Sequence, residues 1–387
     1  MFEVAFATDP FATPTYVDLS DRLLRARIRR GRQHELDVVE AGSADVQLDN
    51  QDRALEPEYA GSAYYPNVVP LRRARLSVTH NAATYRRFTG FVERWPPAWE
   101  LPNYAEMPLT LVDGFEALTQ ATLPAASYPA EGAGARIGRV LDAVGWPAGD
   151  RSLDAGQSQV QAKTIAAGDE LDALTHIKEV ADSELGIFFI DGQGRAVFHE
   201  RHRRLKSPFT TSQATFGDAD GELAYEALEP SFDKDGIRND WRVTREGGTV
   251  QTAEDAASIA RYMRRTGTRA PLFATDSEAL DMARFLVSRY KDPYLRFDAI
   301  GVEPLADDAL WTQVLSRELG DRITVRRRPP GGGATVEKQV HIDGISEEIV
   351  PAIAWRTTWQ LTPADLNQYL VLDHASLGRL DFNKLAY

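Results

Sequence analysis

Residues 42–50, GSADVQLDN, alternate in character: Ala44, Val46 and Leu48 are apolar while Asp45 and Gln47 between them are polar. A period of two places one set of side chains on a buried face and the other in water, which is the signature of a half-buried β-strand. The same alternation recurs in RRARLSVTH (72–80), through Ala74, Leu76 and Val78. Residues 88–95 and 109–112 read as two more strands, and Pro, Gly, Asn and Asp cluster between the runs. Residues 1–122 are therefore expected to form an antiparallel sandwich or small barrel, closed by a short helix near 115–121.

Beyond this region the period changes. In GARIGRVLDAVGW (134–146), Ile137, Val140, Leu141 and Val144 fall at i, i+3, i+4 and i+7, one helical face, with Gly145 placed to end it. A second helix is expected from about Asp169, presenting Leu171, Leu174 and Ile177 and stopping before Gly186. The run IFFIDGQGRAVFHER (187–201) follows as two β-rich segments around a tight turn. Helix, helix and hairpin make a small α+β domain over 123–206. Residues 207–234 show little periodicity and read as a connector.

Strands resume with IRNDWRVTRE (237–246) and TVQT (249–252) about Gly247-Gly248. Thr275 precedes Glu278 by three residues, a capping box opening the helix that runs to Tyr290. LRFDAIGV (295–302), a helix carrying Leu310, Trp311, Val314 and Leu315, and strands near 323–328, 336–345 and 352–361 complete a second β domain over 235–363. The fold class expected is α+β, mostly β: two antiparallel β-barrel or sandwich domains flanking a small helix-helix-hairpin domain. Residues 364–387 remain as an arm. Its Tyr369, Leu372, Leu377, Leu380 and Phe382 are apolar enough to dock on a neighbour.

Composition narrows the function. The 387 residues are 43% hydrophobic with seven Trp, enough to build real cores and too many for one. Without cysteine there is no disulfide, thiolate metal site or cysteine nucleophile. Acidic residues outnumber basic ones by 57 to 44, a formal charge of −13 that disfavours gripping nucleic acid over the whole surface. The opening residues show neither a basic leader nor a long apolar core, which points to a chain made in the cytoplasm.

Reactive constellations are missing from the sequence: nucleophile elbow, phosphate loop and zinc-protease signature are all absent. His199 and His202 stand three apart at a strand end and point to opposite faces, so no metal is expected there. Asp191 and Gln193 open like a calcium loop, but His202 occupies the place of its bidentate acid and a plain turn is the better reading. Asp49, Asn50 and Asp52 could gather a cation at an interface; as turn-formers they need none. Trp95 and Trp99 could make a sugar-stacking platform, although such residues more often pack at a rim or a subunit contact. The PPGGG segment (329–333) reads as a hairpin loop. No catalytic residue, metal or cofactor is expected.

Three stretches resemble the minor tail proteins, or tail-hub (baseplate hub) proteins, of long-tailed phages that infect actinobacteria. They are residues 10–57, with Arg30-Gly31-Arg32, a Glu35-Leu36-Asp37 step and a strand ending Leu48-Asp49-Asn50; residues 64–78 followed by 88–96; and 359–363 through 369–387. In the first, Gly31 allows a turn while Glu35 and Asp37 can meet Arg30 or Arg32. The resemblance implies a virion tail-tip protein, not an enzyme. It implies a homotrimeric hub in which each chain gives two β domains to a pseudo-sixfold ring that closes or extends the tail tube. Expected partners are the distal-tail ring, the tape measure and tip or fibre proteins, with genomic DNA passing without specific binding during ejection and the host envelope nearby at attachment. Competing readings are a hexameric distal-tail ring, a receptor- or carbohydrate-contacting tip protein, a cell-wall hydrolase and the hub of a related injection machine outside phages.

Overall fold

The computed structural model describes residues 1–100 and 103–364. Its fold is α+β and mostly β, as the alternation implies. One large sheet runs through both halves of the chain. In order across it lie Ala227–Ser231, Arg296–Val302, Ala354–Pro363, Val336–Val350, Leu23–Gly31, Glu40–Asp49, Tyr104–Val112, Ala83–Val92, Arg73–His80, Phe2–Val4 and Val17–Asp18. All these neighbours are antiparallel.

The two β halves are thus joined edge to edge by backbone hydrogen bonds. Residues 344–349 pair with 26–31, from Gly344 opposite Gly31 to Ile349 opposite Ala26. Two cores flank this seam. In the N-terminal half Phe2, Ile28, Val46, Leu48, Phe88, Met107 and Leu111 are buried together, the inward set that the alternation specifies. The helix Asp308–Ser316, capped by Asp307, lays Leu315 and Trp311 on this core from the other half; Trp311 meets Trp355 edge-on at 5.4 Å.

The helix-helix-hairpin unit forms, with the start of its second helix shifted. Helix Ala133–Ala143 buries Ile137, Val140 and Leu141, and Gly145 follows it at φ 71°. The second helix, Ala173–Ser183, starts later than the periodicity implies, because the Asp172 side chain accepts the Thr175 N–H at 2.8 Å and fixes the N-cap. Leu171 therefore lies before the helix. The hairpin Ile187–Ile190 and Ala196–His199 adds Arg151–Leu153 as a parallel strand.

Two expectations about the second half change. Residues 207–234 are no bare connector, since Thr215–Phe216 pairs with Arg322–Arg327 and Ala227–Ser231 forms an edge of the large sheet. Too short or too irregular to show a period, these strands are specified by partners distant in sequence. Residues 237–290 in turn leave that sheet. Asp240–Val243, Gln251–Glu254 and Thr266–Arg269 make a separate three-stranded sheet, covered by the helix Asp276–Tyr290 with its Thr275–Glu278 capping box. This unit has its own core of Trp241, Phe273, Met282, Ala283 and Leu286.

Candidate functional site: an ionic junction where four units meet

The strand Leu23–Gly31 points Ala26, Ile28 and Arg30 inward, and Arg25, Arg27 and Arg29 outward. Arg30 is consequently a buried cation, and a buried cation must find an acid. It finds Glu318 at 2.7 Å from Nη1, not the nearby Glu35 or Asp37. Glu318 also accepts the N–H of Leu319 at 2.9 Å and that of Gly192, in the turn of the middle hairpin, at 3.3 Å. Burial raises the Glu318 carboxyl, and Arg30 outweighs it and holds the group below its usual range.

Gly31 does not make a tight turn. It ends the strand at φ 92°, beside a bulge, and the backbone of the second half passes directly over it. A Cβ here would lie 2.3 Å from the Asp343 carbonyl oxygen and 2.8 Å from the Gly344 Cα. Only glycine satisfies both conditions. The next residue, Arg32, donates its backbone N–H to the same carbonyl at 2.9 Å. Its guanidinium donates from Nε and Nη2 to Asp343 Oδ2 at 3.1 and 2.9 Å.

Asp343 is the hub of the cluster. Arg204, from the middle unit, donates to its other oxygen, and the Thr362 hydroxyl donates at 2.7 Å. Burial pushes this carboxyl up, but Arg204 and Arg32 prevail and hold it far below the carboxylate range. Glu35 joins from the side, accepting from Arg289 at the end of the long helix, with Arg204 at 3.8 Å. Asp37 contributes its backbone carbonyl to Arg32 while its carboxylate accepts the His34 N–H. The second pair across the seam, Arg87 with Glu347, is almost wholly buried.

The N-terminal half, the middle unit, the 237–290 unit and the second half are therefore tied together by neighbouring sets of ion pairs, Arg30–Glu318 and Arg87–Glu347 on one side and Arg32, Asp343, Arg204, Glu35 and Arg289 on the other. Each acid described in them is held by arginine or backbone N–H groups, an arrangement suited to fixing the relative placement of four units. Of the residues singled out in the sequence, Arg30, Gly31, Arg32 and Glu35 come together here. Arg87, Arg204, Glu318, Asp343 and Glu347 were missed. Glu347 had a signal: it shares the parity of Ile345 and Ile349, so a period-two reading places its charge on the buried face.

The remaining candidates fall elsewhere. Asp49, Asn50 and Asp52 close a turn: Asp52 takes a two-pronged contact from Arg22, Asn50 Oδ1 accepts the Leu55 N–H at 2.9 Å, and Asp49 Oδ1 accepts that of Gln51 at 3.2 Å. Asp191 likewise spends its oxygens on the N–H groups of Gln193 and Arg195 and on the Arg195 guanidinium. Among the described residues no group of three or more His, Asp or Glu side chains converges as a metal site. Trp95 and Trp99 form no shared platform. Trp95 is buried against Phe6 with its indole N–H on the Val69 carbonyl at 2.8 Å, whereas Trp99 is 68% exposed. Tyr369, Leu372, Leu377, Leu380 and Phe382 lie outside the described residues.

The architecture matches solved structures along nearly its whole length. A tail protein from Neisseria meningitidis MC58 superposes with a TM-score of 0.60 at 12% identity, over 93% of this chain and 94% of that one. The chain has the fold of a phage tail protein. A 43 kDa tail protein of prophage MuSo2 from Shewanella oneidensis matches with a TM-score of 0.58 at 13% identity, over 89% and 94%. The tail-protein fold extends to an Escherichia coli component of the type VI secretion system that exhibits structural similarity to phage T4 tail proteins. That match has a TM-score of 0.51 at 13% identity, over 88% of this chain and 73% of the other. No protein-family model matches the sequence, and no curated protein does.

Proposed function

We propose that this chain is a structural subunit of a phage tail tip, and within it the trimeric hub that closes or extends the tail tube. The observation that carries the reading is the end-to-end match to tail proteins, 93% of this chain on 94% of the Neisseria protein. The edge-to-edge seam at 344–349 and 26–31 supports the trimer, because it sets two β halves side by side as two repeats of a ring would be. Three such chains would present six halves. Ring formation would then fall to residues 1–122 and to the strands between Thr215 and Pro363, with the middle unit and the 237–290 unit lying to the side. The ionic junction locks those parts in register. Residues 365–387 would dock on a neighbour, the distal-tail ring or a tip protein, and DNA would pass without being bound.

Imaging of the intact particle tests this reading. Three copies at the end of the tail tube are expected, and six copies would move the chain to the distal-tail ring. A second reading, the hub of an injection machine outside phages, is favoured by the Escherichia coli likeness alone; finding the chain in particles with DNA-filled heads rejects it. Catalysis is not expected. A cell-wall zymogram should stay dark, and a clearing band lost on changing a single carboxylate would overturn the structural reading.

A further inference from the structure

Most described arginines sit in ion pairs, often two to one acid, as at Asp343 and Glu222. Arg25, Arg29 and Arg94 do not, and their side chains make no hydrogen bond among the described residues. All three are exposed on the N-terminal half, Arg25 and Arg29 on the strand that forms the seam. Arg25, Arg27 and Arg29 alternate along one strand, so their guanidinium groups emerge about 7 Å apart on the same side. That spacing lies within the screening length of about 8 Å at physiological salt, and the like charges repel. Only Arg27 has an acid partner, Glu348 at 3.1 Å, and that pair is itself exposed.

Arg25, Arg27 and Arg94 border an open groove of about 390 Å3, whose floor and walls include Asp45, Gln47, Pro96, Pro108 and Thr110. We propose that this groove is a docking site for an extended acidic segment of a partner protein, with its carboxylates meeting Arg25, Arg27 and Arg94. The period-two register of an extended chain matches that of Arg25 and Arg27 on their strand, and a guanidinium offers a carboxylate two parallel N–H donors. Relief of the repulsion among the arginines adds to the attraction. A polypeptide is favoured over a nucleic acid strand because no aromatic ring lines the groove to stack a base. The inference rests on the chemistry of this face and is independent of where the chain sits in a particle.

The test uses the full-length protein and a fluorescein-labelled peptide of alternating Glu and Thr, read by anisotropy at low and physiological salt. Binding that weakens with salt is expected, with a loss of about tenfold or more in the double variant Arg25→Ser, Arg94→Ser and partial retention in Arg25→Lys. Arg284→Ser, which removes an exposed arginine on a different unit, should bind as the parent does. Equal binding by parent and double variant overturns the proposal, as does absence of binding. Tighter binding of an oligothymidylate than of the peptide would reassign the groove to nucleic acid. Binding seen only after removal of residues 365–387 would reassign it to the chain's own end. Because the substituted side chains are exposed, an unchanged unfolding curve separates lost docking from lost folding.

Discussion

Arg87 and Glu347 lie 260 residues apart in the chain and meet as a buried fork, with Arg87 Nη2 donating to Glu347 Oε1 at 2.8 Å. Arg87 Nη1 also donates to the Leu315 carbonyl at 2.8 Å, so one side chain ties the N-terminal half to both the helix and the strand that pack on it. Desolvating two charges nearly cancels their attraction, so the pair holds register more than it adds stability. Removing one partner is another matter, because the other remains as an uncompensated buried charge.

Arg87→Leu alone, or Glu347→Leu alone, is therefore expected to destabilise by about 3–5 kcal/mol. The double variant should recover most of the loss. Chemical denaturation of the three variants gives the coupling energy directly, and additive single losses would show that the two side chains do not act as a pair.

Gly31→Ala should cost about 2–4 kcal/mol, combining the strain of a positive φ with overpacking against the Asp343 carbonyl. The loss should appear as weakened protection of the 344–349 amides in hydrogen exchange, since the added methyl pushes those strands apart. Unchanged protection there would mean that the seam tolerates a wider spacing than the structure shows.

Much of this fold is legible in the sequence, and the parts that are not share a physical reason. Alternation through Ala44, Val46 and Leu48, the helical face of Ile137, Val140 and Leu141, and the Thr275–Glu278 cap are local, and each forms. The strand Ala227–Ser231 and the excursion at 237–290 are set by distant partners, and local pattern cannot supply those. The same holds within the junction. Arg30-Gly31-Arg32 stands out as a motif, yet its main acids, Glu318 and Asp343, are about three hundred residues away, and of the neighbouring pair Asp37 reaches Arg32 only through its backbone carbonyl while Glu35 takes its hydrogen bond from Arg289. Gly31 reads as a turn because sequence shows that a glycine is present and not what passes over it.

His199 supplies a pH dependence. Burial between Phe189 and Phe209, then Arg203 and Arg204, lower its pKa from 6.5 to about 4. Between those values the unfolded chain binds a proton that the folded chain does not, so the stability this neutral ring allows is present above pH 6.5 and lost as pH falls toward 4. The loss is roughly 3 kcal/mol at an order-of-magnitude level. Asp113 acts oppositely: burial pushes its carboxyl up to about 7, so its contribution falls as pH rises through the overlapping window. The readout is consequently the difference between His199→Phe and the parent. It should shrink the acid-side loss, and parallel stability curves from pH 4 to 7 would contradict the assignment.

Trp95 and Trp99, four residues apart, should respond differently to truncation. Trp95→Ala removes a buried ring and strands the Val69 carbonyl, for a loss of about 3–5 kcal/mol. Trp99→Ala, at an exposed ring whose indole N–H reaches only Glu56 at 3.2 Å, should cost under about 1 kcal/mol. Equal losses would place Trp99 in a packed environment that the isolated chain does not have.

Deleting residues 365–387 tests the division between folding and assembly. The last described contact before them is the Ala364 N–H on the Gln339 carbonyl at 2.9 Å, one step beyond the pairing of Pro363 with Val340, so the described strands of the large sheet are all paired ahead of them. The two cores of that sheet draw on residues up to Leu361 in one and Trp355 in the other. The truncated chain should keep a cooperative unfolding transition within about 1 kcal/mol of the parent, because no described core loses a member. Tyr369, Leu372, Leu377, Leu380 and Phe382 would then act between chains, and particles carrying the truncated protein should fail to complete their tails. Loss of cooperative unfolding on deletion would assign these residues to the fold of this chain instead of to its neighbours.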